Sequence, residues 1–383
     1  MRAERFPLGA GVTIAGLEAD PYALLARLRA SEPVSWLPAI DGWLVTRRDL
    51  ALAAMRNADA FTVDDPRFTT ARVVGRSMLS LDGAEHDRHR APFVAGLRLG
   101  EVRRRMAAAV ADEAERLARE LAPRGEGELR RDFAGPLAAA AVTRALGLDG
   151  AATGAVLGWY DAIVAAVTDL SAGRPPGAAA ARAVAELGEA VRPALRSGGG
   201  LADTGLSDAE VTSNAAVLLF GGIETTEGMI ANAVVHLLER PEALAAVRAD
   251  PGALPAAVEE SLRLEPAAAV IDRYATRDSE LGGAAIAAGE LVRISITAAN
   301  RDPETFAEPD RFDLGRVNAG RHLAFAAGPH VCVGVHLARL EAHVALATLL
   351  ERLPGLRLDP ERPPAIRGLV FRKPQELRVC WET

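Results

Sequence analysis

The chain predicts a mainly α fold, a single helix-rich domain over residues 1–383 with small β-sheets toward both ends. Three observations predict it. Stretches rich in Ala, Arg, Glu and Leu, the good helix formers, dominate residues 86–265. Short alternating or turn-bounded apolar runs occur only outside that core. No Pro/Gly/Ser-rich linker or charge run separates one part from another, so a single domain is preferred to two or three.

The elements follow in order. Residues 20–30 read as a helix, and Trp36–Leu37 and Trp43–Thr46 flank an Asp41-Gly42 hairpin turn within an N-terminal part of about 60 residues. Residues 101–121 and 178–196 are helical by composition, and 171–177 (Ser-Ala-Gly-Arg-Pro-Pro-Gly) is a loop. Ser207 and Glu210 fit a capping box, starting a helix that runs to about Glu239, just before Pro241. Residues 281–299 read as short strands around Gly282, Gly283 and Gly289. The chain is irregular from 300 to 331, with Pro303, Pro309 and Pro329, and so long an irregular stretch is usually functional. A helix over 333–352 completes a segment starting at 322, and 368–381 is strand-like.

Composition narrows the function classes. The net charge of −7 argues against nucleic acid as a partner. No apolar run reaches the roughly 18 residues of a membrane span. The uncharged stretch from Phe6 to Leu17 is interrupted by Pro7 and glycines, a poor secretory core, so a cytoplasmic location is expected. Two cysteines, Cys332 and Cys380, give no disulfide framework.

Cys332 stands out by its surroundings, Phe325-Ala-Ala-Gly328-Pro-His330-Val-Cys332-Val-Gly334, followed by Leu337, Leu340 and Val344 at helical spacing. At a helix start the dipole and free N–H groups favour a thiolate, and Gly328 and Gly334 permit tight backbone beside a flat ligand. A thiolate so placed can bind iron and push electron density onto it. The plain alternative is a small buried core residue, which is how Cys380 is read.

The helix after Ser207 carries Phe220-Gly221-Gly222-Ile-Glu224-Thr225-Thr226. Two mid-helix glycines cost about 1 kcal/mol each relative to alanine, which asks for a reason. Close helix packing is one, and room for a ligand beside the backbone is another. Gly221 and Thr225 share a face, so the Thr225 hydroxyl can bend the local hydrogen-bonding pattern and Glu224 can relay protons.

With these segments the chain resembles the cytochrome P-450 superfamily, in its bacterial class. Phe325, Gly328, His330, Cys332 and Gly334 match the family's Phe-Gly-x-Gly-x-His-x-Cys-x-Gly loop, with Ala326 in place of the first glycine. Gly221, Glu224 and Thr225 match its oxygen-activation motif, and Glu260-Ser-Leu-Arg263 its structural Glu-x-x-Arg element, whose partner within 309–316 stays open. His86 and Arg90, four apart, match its propionate pair; Arg273 and His322 stand where third and fourth partners occur, with His89 and His330 as weaker candidates.

The resemblance implies haem b (iron protoporphyrin IX) held by Cys332, with Phe325, Gly334 and Gly221 against it, and a monooxygenase using O2. Electrons would come from a separate ferredoxin and ferredoxin reductase; Arg88, Arg98 and Arg103 to Arg105 either help dock it or form a solvated helical face. It places a pocket on residues 62–80, 165–180, 267–272 and 367–372. Leu79, Val167, Val270, Ile271, Leu369, Val370 and Phe371 would form its apolar wall for a small lipophilic substrate, such as a secondary-metabolite intermediate. The rivals are a peroxide-driven or oxidative-coupling enzyme of the same cofactor, against which the Glu224-Thr225 pair argues, a haem-binding gas sensor, and a helical protein that binds no haem.

Overall fold

The computed structural model describes residues 2–148, 150–171, 174–196 and 205–383. It is mainly helical, with small sheets. The chain divides into two compact units, one of residues 1–62, 228–332 and 354–382, the other of residues 63–227 and 333–353 with Thr383.

The first unit holds a five-stranded sheet. Val34–Leu37 pairs antiparallel with Gly42–Val45, which runs parallel to Leu291–Ser295; Val270–Ala275 follows antiparallel and Phe61–Thr62 closes the order. Trp36 lies opposite Trp43, and the Trp43 ring takes Phe6 edge-on at 5.1 Å, anchoring the N-terminal segment on the sheet. The hairpin connection is longer than a two-residue turn: Pro38–Ile40 form a 3-10 turn and Asp41 takes the left-handed conformation at φ 46°. The strand reading of 281–299 holds for Ser279–Leu281, Ala284–Ile286 and Leu291–Ser295, but Ile296–Ala299 is helical. Ser295 stops the strand by capping that turn, its Oγ accepting the Ala298 N–H at 3.1 Å. In the C-terminal stretch only Lys373–Pro374 and Arg378–Cys380 are strand.

Residues 300–331 contain only two 3-10 turns, Ala319–Arg321 and Gly328–His330, so something other than a ladder must hold them. Arg263 does so. Fully buried on the Leu254–Leu264 helix, it forms two 2.8 Å bonds to the Glu260 carboxylate and donates to the carbonyls of Asn300, Pro309 and Arg311 at 3.1, 2.6 and 3.0 Å. Arg316 completes the brace: its Nε donates to Glu260 Oε1 at 2.9 Å, beside the Asp313 N–H at 3.0 Å. Arg316→Ala removes buried charge-assisted hydrogen bonds while Glu260 keeps its pair with Arg263, so it should lower the unfolding free energy by about 2 kcal/mol. Urea unfolding of the two proteins measures it; a loss within 1 kcal/mol, the range of exposed pairs, would make the brace dispensable.

A buried imidazole adds a pH dependence. His236 shares a 2.9 Å hydrogen bond with Ser261 Oγ, and burial, then the positive charges of Arg240, Arg301 and Arg263, push its pKa down to about 3. Below the ordinary value of 6.5 the unfolded chain takes a proton that the folded one refuses, so stability falls as pH drops from there toward 3. The slope from this residue approaches about 1.4 kcal/mol per pH unit. His236→Gln should flatten the acid limb of a melting-temperature–pH curve; an unchanged limb would assign it to other groups.

The second unit is helical. Its long members are Gly83–Val94, Ala107–Leu121, Gly135–Ala145, Thr153–Ser171, Ala178–Arg196 and Val335–Arg352. The expected 101–121 helix is broken at Met106 into Leu99–Arg105 and Ala107–Leu121. Of the 171–177 loop, 174–177 are irregular, while Ala172 and Gly173 lie outside the described residues. The Asp208–Leu238 helix, 31 residues long, begins in this unit and ends in the other. Its capping box is formed as expected, with the Ser207 N–H on Glu210 Oε2 at 2.8 Å and the Glu210 N–H on Ser207 Oγ at 3.4 Å. Among the described residues, no helix is long and apolar enough to cross a membrane.

Candidate active site

Cys332 ends the irregular segment of the first unit, two residues before Gly334, the N-cap of the Val335–Arg352 helix. It is half-buried, and its N–H donates to the Phe325 carbonyl at 2.9 Å, closing the loop on itself. Gly328 has φ 74°, and a Cβ there would sit 2.6 Å from the Met55 carbonyl oxygen, so no larger residue fits. Ala326, where the family's first glycine stands, also lies in the left-handed region, at φ 58°. An L-alanine there costs about 1 kcal/mol. Ala326→Gly should therefore raise thermal stability by about that much; a fall in Tm would mean that the methyl's packing on the sheet core outweighs the strain.

In the second unit the two mid-helix glycines separate. A Cβ on Gly222 would touch Val142 at 3.2 Å, so this glycine serves packing. A Cβ on Gly221 would meet no described atom within 4 Å, so here the helix borders open room. Thr225 is half-buried and its hydroxyl donates to the Gly221 carbonyl at 2.6 Å, drawing off the oxygen that a regular helix turn uses. Glu224 is 4 % exposed, and its Oε2 accepts a hydrogen bond from the Tyr160 hydroxyl. Burial first, then the charges of Glu224 and Glu227, hold the Tyr160 phenol far above its ordinary pKa, so it remains a donor. One turn on, buried Glu227 pairs with Arg130 from the π-helical turn Arg130–Ala134.

His86 and Arg90 lie four apart on Gly83–Val94, His86 buried and Arg90 half-buried. Arg273 is buried on the Val270–Ala275 strand and donates to the Asp272 carbonyl at 2.8 Å. His322 is buried: its Nδ1 accepts the Ala324 N–H at 3.1 Å, while its Nε2 makes no hydrogen bond among the described residues and lies 3.3 Å from the Glu259 carboxylate. Arg88 pairs with Glu85 and Glu210 and Arg104 with Glu101, and Arg98 and Arg103 to Arg105 are exposed.

The expected pocket segments 267–272 and 367–372 do meet, through an Ala268–Phe371 bridge and the Ala269 N–H on the Val370 carbonyl at 2.8 Å. Buried Arg372 fixes that segment by donating to Glu265 at 3.0 Å and to the Gly368 carbonyl at 2.9 Å. Val370 and Phe371 are half-buried and Val270 is buried. Ile271 is partly buried against the sheet core and Leu369 against the cluster of Val12, Leu17 and Leu25. In the second unit, Leu79 is half-buried and Val167 buried on Thr153–Ser171.

Comparison with known proteins decides the family. Residues 253–381 match the Cytochrome P450 family profile. The chain is 37% identical to nocardicin C N-oxygenase of Nocardia uniformis subsp. tsuyamanensis, over 94% of this chain and 97% of that protein. The chain belongs to the cytochrome P450 family. It is also 36% identical to the 20-oxo-5-O-mycaminosyltylactone 23-monooxygenase of Streptomyces fradiae, over 94% of this chain and 90% of that one. Among solved structures, the P450 BioI in complex with a hexadecenoic-acid-ligated acyl carrier protein superposes with a TM-score of 0.85 at 29% identity, covering 95% of this chain and 99% of that one.

As a P450 the chain is a monooxygenase with a haem-thiolate cofactor. The residues present fit that group: a thiol outside any disulfide in a glycine-braced loop, a helix with open room at Gly221, and buried or half-buried donors at His86, Arg90, Arg273 and His322. Tyr160, Arg130 and Glu227 were not foreseen from the sequence. The one available signal is the spacing of Glu224 and Glu227, three apart on one helical face.

Proposed function

We propose that this P450 oxygenates a lipophilic secondary-metabolite intermediate, with Cys332 as the thiolate that would hold the haem iron and Glu224 and Thr225 handling protons. The observation that carries this reading is the Gly221–Thr225 notch beside a buried carboxylate. Haem, when bound, supplies the activation of O2 and its transfer to substrate. His86, Arg90, Arg273 and His322 would hold the propionates by charge-assisted hydrogen bonds. Gly221 leaves space that a side chain would fill. Thr225 presents a hydroxyl that can turn from the Gly221 carbonyl toward a water in the open room at Gly221, and Glu224 can relay protons to it. Gly334 and Phe325 flank the thiolate loop. Val270, Val370, Phe371, Leu79 and Val167 exclude water and orient the substrate.

The named relatives act on a nocardicin and on a mycaminosyl tylactone, which points to secondary metabolism for this chain too. Electrons come from a separate ferredoxin and its reductase in the cytoplasm, docking through Arg88, Arg98 and Arg103 to Arg105. The chain, residues 1–383, acts as a single catalytic domain.

The test is turnover of a panel of macrolide and peptide intermediates with ferredoxin, reductase and NADPH under labelled O2. One labelled oxygen atom per product molecule is expected. Product formed only with added peroxide, or without label, would favour the peroxide-driven or coupling chemistry instead.

A further inference from the structure

We propose that Tyr22 is a specificity-positioning residue: through Glu265 and Arg372 it sets where Val370 and Phe371 stand in the pocket wall. This rests on the reading of residues 367–372 as pocket wall given above. All the residues involved lie in the first unit. Ile366–Arg367 pairs antiparallel with Lys373–Pro374, and the chain reverses between them. Gly368 makes the reversal possible: it has φ 123°, and a Cβ there would sit 2.0 Å from the Phe371 carbonyl oxygen. So tight a turn fixes its own shape but not its place in the unit.

Its place is set from several sides. The Gly368 N–H donates to the Glu18 carbonyl at 2.9 Å, and the Arg372 N–H to the Ala267 carbonyl at 2.9 Å. Asn232, fully buried on the Asp208–Leu238 helix, donates through Nδ2 to the Arg372 carbonyl at 2.9 Å. The Arg372 guanidinium, 2 % exposed, ties these anchors together. It donates to the Gly368 carbonyl at 2.9 Å, to the Glu18 carbonyl at 3.0 Å and to Glu265 Oε1 at 3.0 Å. A cation so buried needs a counter-charge, and Glu265 supplies it. The Tyr22 hydroxyl closes the triangle: it donates to Glu265 Oε2 and accepts from Arg372 Nη2 at 3.3 Å. Burial first, then the Glu265 charge, push the pKa of the Tyr22 phenol up to about 12, so it stays a neutral donor near neutral pH. The phenol thus reserves Oε1 for Arg372. Without it, Oε2 becomes an unsatisfied buried acceptor that draws the guanidinium from the carbonyls of the turn, and Val370 and Phe371 move with it.

The experiment titrates ferric holoenzyme with two probes that ligate haem iron through nitrogen, imidazole and 4-phenylimidazole, following the Soret shift. Only the second carries a ring that extends to the wall. Wild type is compared with Tyr22→Phe, Arg372→Lys, the double variant and Phe371→Ala. Tyr22→Phe keeps the ring, over which the Arg301 guanidinium lies at 4.0 Å, and removes only the hydroxyl. Arg372→Lys keeps a charge for Glu265 but not the planar fork that spans the carbonyls. Each should raise the Kd of 4-phenylimidazole roughly 3- to 10-fold, a misplaced wall costing no more than a missing methylene. Imidazole does not reach the wall and should bind within about twofold of wild type. The double variant should bind no more weakly than the weaker single one, because both act through one contact.

Unchanged 4-phenylimidazole affinity in Tyr22→Phe, with a loss in Phe371→Ala, would overturn the proposal and leave the wall reading standing. An equal loss for both probes would also overturn it, since the whole haem site is then disturbed. If Phe371→Ala binds 4-phenylimidazole as wild type does, the wall itself is misread and the proposal falls with it. If Tyr22→Phe does not fold, Arg372→Lys decides by the same readings.

Discussion

Thr225→Ala should leave the haem spectrum intact and still consume NADPH, but convert at least about tenfold less of it into product. The hydroxyl touches the helix through its 2.6 Å bond to the Gly221 carbonyl, and the fold does not rest on it. Thr225 is only half-buried, so alanine leaves no large void, and the i−4 back-bond it loses slightly disfavours a helix in any case. The expected stability change is therefore small. What is lost is a positioned hydrogen-bond donor beside the open room at Gly221, and placed proton-transfer groups contribute roughly 10²- to 10⁴-fold. The diverted electrons should appear as hydrogen peroxide. Thr225→Ser keeps the hydroxyl and should recover most of the coupling. Measuring NADPH consumed, product and peroxide in one reaction checks all three; equal loss of NADPH consumption and product would point to a binding defect instead.

Cys332→Ser has the larger effect: product formation should fall below detection, with little retained haem. The loop does not depend on the thiol for its shape. Its closure is the Cys332 N–H on the Phe325 carbonyl, its turn is set by Gly328, and its support is the Glu260–Arg263–Arg316 brace. Serine should therefore fold as well as cysteine, and urea unfolding of the two apoproteins should agree within about 0.5 kcal/mol. A hydroxyl is a far weaker electron donor to iron than a thiolate, so the chemistry is lost while the fold remains. Cys380→Ser is the control. Cys380 lies in the terminal strand Arg378–Cys380, and the variant should keep both haem and turnover.

The parts of the site legible in the sequence are those whose chemistry is contiguous. The cysteine loop spans ten residues, and the Gly221-to-Thr225 motif fits within one helix turn and a little more, so residue types at fixed spacing carry them. The capping box at Ser207 was legible for the same reason. Contacts between distant segments were not. Tyr160 reaches Glu224 across 64 residues, Arg130 reaches Glu227 across 97, and Arg316 reaches Glu260 across 56 through an irregular segment with no periodicity. The sidedness of short strands was equally hidden: Val270 and Ile271 differ by one position, which in a strand reverses the face.

The central claim is that the Cys332 thiolate is the fifth ligand of haem iron. Its most direct test is the absorption spectrum of the purified protein reduced with dithionite under carbon monoxide, beside Cys332→Ser and Cys380→Ser. The account predicts a strongly red-shifted Soret band in wild type and Cys380→Ser, absent in Cys332→Ser. A band of the histidine type in wild type, or a red-shifted band that survives in Cys332→Ser, would contradict it.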